Sequence, residues 1–219
     1  MSSIPDKVYK YRSLSLNKDN KGITDLEKTI DILYNNRIYM PNIDALNDPF
    51  EGTHNFDYSG WKMTLEDGTA IDMEYSYVIK SNYKVYSLSE SPQITPMWVH
   101  YADNFKGICI EFSTKNTFSK INKVNYSDKL LTLKDLGYSP FGREYKEALL
   151  QKSSTWAYEK EWRLIRYANE YLTLEPMEIT AVILGADISS ENFALIRDCY
   201  IKIMRLQENT VALLIKIMK

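Results

Sequence analysis

The run Gly107 to Phe112 (G-I-C-I-E-F) constrains the fold most. Ile108, Ile110 and Phe112 recur at every second position, with Cys109 and Glu111 between them. A period of two puts the three large apolar residues on one face of a β-strand, which no helix of this length can do. Shorter strand-like runs lie at Val8 to Ser13, Arg37 to Met40, Lys84 to Glu90, Ala157 to Tyr167, Thr180 to Gly185 and Val211 to Met218. Helices are expected between them, without regular alternation. Thr24 and Glu27 have the spacing of a capping box, and Leu26, Ile30, Leu33 and Tyr34 follow at helical intervals to a stop near Asn35-Asn36. Pro92 to Asn104 reads as a loop leading into a short helix with Pro96 in its first turn. Lys134 to Leu150 contains helix interrupted by Gly137 and Pro140. Ser190 to Arg205 is amphipathic, with Leu195, Ile196, Cys199, Tyr200 and Ile203 facing inward. Asn42 to Gly52 is rich in turn residues, and Ile71 to Lys80 fits either helix or strand. The pattern predicts one α+β domain over residues 1–219, with a mostly antiparallel sheet and peripheral helices rather than a doubly wound parallel one.

Composition narrows the function classes. A net charge of −2 supplies no global basic field for nucleic acid or an anionic membrane. The two cysteines and two histidines, with no C-x-x-C, do not show the ligand spacing of a His/Cys zinc site. Cys109 and Cys199 are expected to be reduced and buried. The N-terminus has no apolar signal core, and no run reaches the ~18 apolar residues of a membrane span. A cytoplasmic location is therefore expected. Glycine-rich nucleotide-binding motifs of the Rossmann and P-loop types are missing. Seventeen tyrosines suit wet grooves, interfaces or stacking on a planar ligand.

The segment Trp156 to Arg163 (W-A-Y-E-K-E-W-R) is the first candidate for chemistry. On a strand, Glu159, Glu161 and Arg163 share a face. The plain reading is a soluble, solvent-facing strand. The functional one is a carboxylate that binds sugar hydroxyls and steadies positive charge during glycosidic cleavage. Ser87 and Ser89 face one way on their strand and could orient a neighbouring carboxylate, or be ordinary surface serines. Arg12 could make a surface ion pair or grip a phosphate or ribose. Trp98 and Tyr101, three apart on a helix, could pack in the core or wall a planar-ligand pocket. His100 has no evident partner and reads as a surface residue. Asn47 to Glu51 caps its own turn or lines a site.

The ordered blocks Y-K-Y-R-S, N-R-I-Y-M-P, L-N-D-P-F-E, Y-S-L-S-E, M-W-V-H-Y-A-D-N-F-K-G-I-C-I-E-F and W-A-Y-E-K-E-W-R-L-I resemble a bacterial and phage family known only as a domain of unknown function. Their order also resembles that of ADP-ribosyltransferases, which carry an Arg or His on the first strand, a Ser-x-Ser block and a later Glu or Glu-x-Glu. That resemblance implies NAD as the substrate. It places Arg12 at the NAD ribose or phosphate, Ser87 and Ser89 in the serine block, Glu161 as the catalytic carboxylate and Glu159 on the acceptor side. Tyr11 or Tyr101 would stack on nicotinamide, and the acceptor would be a protein or a nucleic acid. Leu88 stands where that family usually has threonine. Such a protein would be a toxin or phage-defence effector. The competing class is a non-enzymatic binding module of a bacterial defence or mobile-element system.

Overall fold

The computed structural model describes residues 3–19, 21–43, 46, 62–64, 66–72, 83–129, 149–167, 169–206 and 214–217. The loop Asn47 to Glu51, residues 73–80 and the helix expected from Lys134 onward lie outside them.

The strands are β1 (Lys7–Arg12), β2 (Arg37–Tyr39), β3 (Lys62–Thr64), β4 (Ala70–Asp72), β5 (Tyr83–Ser89), β6 (Ile108–Ser113), β7 (Asn122–Lys123), β8 (Asn125–Tyr126), β9 (Gln151–Lys152), β10 (Glu161–Tyr167), β11 (Tyr171–Thr173), β12 (Ile179–Leu184) and β13 (Leu214–Ile217). The helices are α1 (Asp25–Asn35), α2 (Thr95–Tyr101) and α3 (Ser190–Leu206). Seven strands form one sheet in the order β13-β12-β6-β1-β5-β10-β7. Its pairs are antiparallel except β12 with β13. The result is a mixed α and β domain built on a mostly antiparallel sheet. No helix among the described residues is long and apolar enough to cross a membrane.

β6 lies inside this sheet, paired with β1 and β12, and its alternation sorts the two faces. Ile108, Ile110 and Phe112 join Val8, Leu88, Trp162 and Leu164 in the main core, where Ile32 and Leu33 of α1 and Ile196 of α3 also pack. Cys109 turns to the other face, in a smaller cluster with Tyr11 and Trp98. Both cysteines are buried thiols that form no disulfide. The capping box at Thr24 and Glu27 forms in full, and α1 ends on Asn36 in the left-handed region. On α3, Ile196 and Cys199 are buried, but Leu195 is exposed, against expectation; the inward stripe is narrower than the apolar run. The side chains of Tyr200 and Ile203 are not described.

Two glycines fix where β1 ends. A Cβ on Gly107 would overlap the Arg12 carbonyl, and one on Gly185 would overlap the Phe105 carbonyl. Just before Gly107 the chain passes through three consecutive left-handed residues, Asp103, Asn104 and Phe105. This tight crossing locks the α2–β6 connection against the end of β1, and so holds Arg12 in place.

Candidate active site

β1 meets β5 at one residue pair, Tyr9 with Ser89. Beyond it the strands part. β5 turns its amides elsewhere: the Val85 N–H donates to the Pro41 carbonyl at 3.0 Å. The gap opens into a cleft of about 980 Å³, at the upper end of the volumes typical of small-molecule sites. Lys10, Arg12, Tyr86, Ser87, Tyr101, Glu159 and Glu161 all line it.

At its inner end lies a buried chain of charges. Lys152 of β9 donates to Glu159 Oε2 at 2.6 Å and to Glu161 Oε2 at 3.1 Å. Arg163 grips Glu161 with both edges of its fork, Nε to Oε1 at 2.7 Å and Nη2 to Oε2 at 3.0 Å, while Nη1 reaches the Leu149 carbonyl at 2.6 Å. Arg163 is 0% exposed, Glu159 and Glu161 each 3%. The solvent-facing reading of this segment is therefore corrected: the charges are inside because each has an opposite partner. The strand reading is corrected too. Glu159 ends a 3-10 turn (Ser154–Glu159), and Lys160 takes a left-handed conformation before β10 begins. The two carboxylates meet through this kink and a shared lysine, not through strand periodicity.

The carboxylates differ in what they can still do. A carboxylate offers about four acceptor positions. Glu161 accepts from Arg163 twice and from Lys152 once. Burial pushes its pKa up, but Arg163, Lys152 and Ser87 outweigh that and hold it down at about 2. Glu159 accepts from Lys152 at one oxygen and from Tyr101 Oη at the other, at 2.7 Å. It keeps an acceptor position on each oxygen. Both carboxylates line the cleft, and Glu159 keeps more acceptor capacity than Glu161.

The remaining candidates divide. Ser87 and Ser89 sit opposite Arg163 and Glu161 on β5. The Ser89 hydroxyl is buried and donates to the Glu159 carbonyl at 2.7 Å, which fixes the kink. Arg12 is no surface ion pair: it donates to Thr29 Oγ1 at 3.1 Å and the Asp25 carbonyl at 3.4 Å. Tyr11 is buried edge-on against Trp98, and its hydroxyl donates to the Ser91 carbonyl at 2.8 Å. Trp98 is fully buried and stacks on Phe105 at 5.6 Å. Neither presents an open ring face to a planar ligand, so the stacking expected of Tyr11 is corrected to core packing, and of the two readings of Trp98 the structure favours core packing over a pocket wall. Tyr101 stays half-buried on the cleft, and His100 is exposed.

Sequence reasoning passed over Lys10 and Lys152. Lys152 lies in a stretch with no periodic signal, and only the fold brings it to the carboxylates. Lys10 sits within the tyrosine-rich first block. Its ammonium is enclosed at the cleft lip, donating to the Ser87 carbonyl at 2.8 Å and lying 4.8 Å above the Tyr86 ring. Burial and the neighbouring Arg12 lower its pKa to about 8, against the opposing pull of Glu161 and Glu159. Among the described residues there is no cluster of three acidic, His or Cys side chains fit to hold a metal.

The profile of a family described as "Protein of unknown function (DUF2971)" matches residues 97–139, a stretch that includes most of α2 and all of β6. No curated protein matches the chain. Among solved structures, Thermus sp. 2.9 DarT in complex with NAD+ is similar, with 12% identity and a TM-score of 0.38 over 100% of this chain and 98% of that one.

Proposed function

We propose that the protein is an NAD-dependent ADP-ribosyltransferase acting in the cleft between β1 and β5. The observation that carries this reading is convergence. Arg12, Ser87 and Glu161, far apart in sequence and matching the three blocks of the resemblance, line one cleft. In the reaction, the bond between nicotinamide nitrogen and ribose C1′ breaks, and its electron pair leaves with nicotinamide. The ribose carries the resulting positive charge until a lone pair of the acceptor attacks C1′ and the acceptor loses its proton. A fixed anion beside the ribose favours that charge, and a pre-oriented one needs no rearrangement as the charge develops. Glu159 is held in this way by Lys152 and Tyr101.

A second reading has its own support. Glu161 has three of its acceptor positions taken by Arg163 and Lys152, as suits a module that binds a nucleotide without turning it over. Incubation with NAD and a mixture of protein and nucleic-acid acceptors separates the two. The transferase releases nicotinamide and labels an acceptor. Binding of NAD without release supports the module, and neither binding nor release overturns both.

A further inference from the structure

We propose that Lys10 is a positioning residue, a side-chain clasp across the split between β1 and β5 that fixes the Ser87 backbone. This deepens the transferase reading and rests on the same cleft. In an antiparallel sheet every second residue turns its backbone groups to the same edge. On β5 these are Val85, Ser87 and Ser89. The Val85 N–H goes to the Pro41 carbonyl, and Ser89 pairs with Tyr9 of β1. Carried on by two residues, that register would set Ser87 opposite Tyr11. The strands have parted there, and the Ser87 carbonyl instead accepts from the Lys10 ammonium at 2.8 Å. A side chain thus stands in for the ladder. Its seat is firmly packed: the ammonium lies 4.8 Å above the Tyr86 ring, and that ring is buried, stacked on Phe118 and edge-on to Phe112.

What the clasp holds is the strand behind the carboxylates. Ser87 lies opposite Arg163, and Ser89 opposite Glu161, in the pairing of β5 with β10. A β5 edge free to move at Ser87 would carry Arg163 and Glu161 with it, and Glu159 would follow through the shared Lys152. Stability does not account for a lysine at this position. Among the described residues no carboxylate forms an ion pair with it. The groups around it are Arg12 on its own strand, Tyr86 of β5, Lys152 of β9, Glu159 and Glu161. Burial and Arg12 lower its pKa to about 8, so the fold disfavours the charge. A buried charge without an opposite partner is less favourable than a well-packed apolar side chain of similar length. The ammonium therefore serves the cleft rather than the fold.

The test compares the full-length wild type with Lys10→Met and Lys10→Arg by hydrogen exchange without ligand, by the kinetics of nicotinamide release and by melting temperature. Lys10→Met should speed exchange of amides in Tyr83–Ser89 by on the order of tenfold, the loss of one charge-assisted hydrogen bond, while amides of β6 and β12 keep their rates. It should lower kcat by a similar factor with KM for NAD little changed, the mark of a group that positions rather than binds. Its melting temperature should be no lower than that of the wild type. Lys10→Arg should restore both exchange and kcat. In the wild type kcat should fall as pH rises through about 8, where Lys10 loses its proton. Lys10→Arg should remove that fall, because a guanidinium keeps its charge. Unchanged β5 exchange in Lys10→Met overturns the clasp. So does a raised KM with kcat unchanged, which makes Lys10 a ligand contact, and so does a large fall in melting temperature, which makes it a residue of the fold. Faster β5 exchange in a protein whose wild type releases no nicotinamide leaves the clasp standing and removes the transferase reading. Nicotinamide release that persists in Lys10→Met with β5 exchange unaltered does the reverse.

Discussion

Replacing Arg163 with methionine destabilises the fold by about 3–5 kcal/mol, the cost of removing one partner of a buried ion pair. In a chain of this size that lowers the melting temperature by roughly 6–20 °C. The reason is local. Arg163 has no exposed surface, and it donates to Glu161 and to the Leu149 carbonyl. Methionine fills much of the space but supplies no donor. Glu161 then keeps Lys152 as its remaining ion-pair partner, inside the protein. The same variant fails earlier in acid. Glu161 has its pKa held below the ordinary carboxylate value of 4.5, at about 2. A depressed carboxylate contributes stability that is complete above about 4.5 and is lost as pH falls through the folded-state value. Without Arg163 burial is less opposed, the folded-state value rises, and the acid transition moves up in pH. Circular dichroism against temperature and against pH measures both effects. Arg166→Met, on an exposed position of the same strand, should change stability by no more than about 0.5 kcal/mol. An Arg163 variant as stable as that control would show that the network is not what holds this end of the sheet.

Glu159→Gln should lower nicotinamide release by about 10²–10³-fold, the usual effect of deleting one preorganised electrostatic contact to a transition state. It should leave the melting temperature close to wild type. Glutamine keeps the shape, and its carbonyl can still accept from Tyr101 or Lys152. Lys152 also retains Glu161. What is lost is the negative charge with room to accept from a ligand. Glu161→Gln should behave in the opposite order, with a stability loss first and any activity loss following from it. Steady-state release rates with melting curves for both variants decide the matter. If a folded Glu161→Gln protein is inactive and Glu159→Gln is fully active, the roles given to the two carboxylates are reversed.

How far the sequence reveals this arrangement depends on which kind of interaction sets each part. β6 and α1 are legible because their signals are local: alternation in Ile108 to Phe112, and a cap at Thr24 closed by Glu27. The convergence of Arg12, Ser87 and Glu161 was expected only through the order of the blocks. It needs β1, β5 and β10 to be neighbours, which no single segment encodes. The burial of Glu159, Glu161 and Arg163 runs against their composition. A strand of charges reads as a surface until Lys152 is brought to it from another element. The kink at Lys160 was equally hidden, since a left-handed lysine carries no sequence mark of the kind glycine or asparagine gives. Tyr11 differs the other way: an aromatic residue near a site suggested stacking, but its hydroxyl is satisfied by the Ser91 carbonyl and its ring by Trp98, whose own N–H donates to the Pro92 carbonyl.

NAD binding is assigned to one location, the split between β1 and β5. Hydrogen exchange with and without saturating NAD tests it most directly. NAD should slow exchange of amides in Lys7–Arg12, in Tyr83–Ser89 and around Glu159 to Glu161, while amides on the exposed side of α3 keep their rates. Protection that falls elsewhere, or no change at any of these amides under saturating NAD, would contradict it.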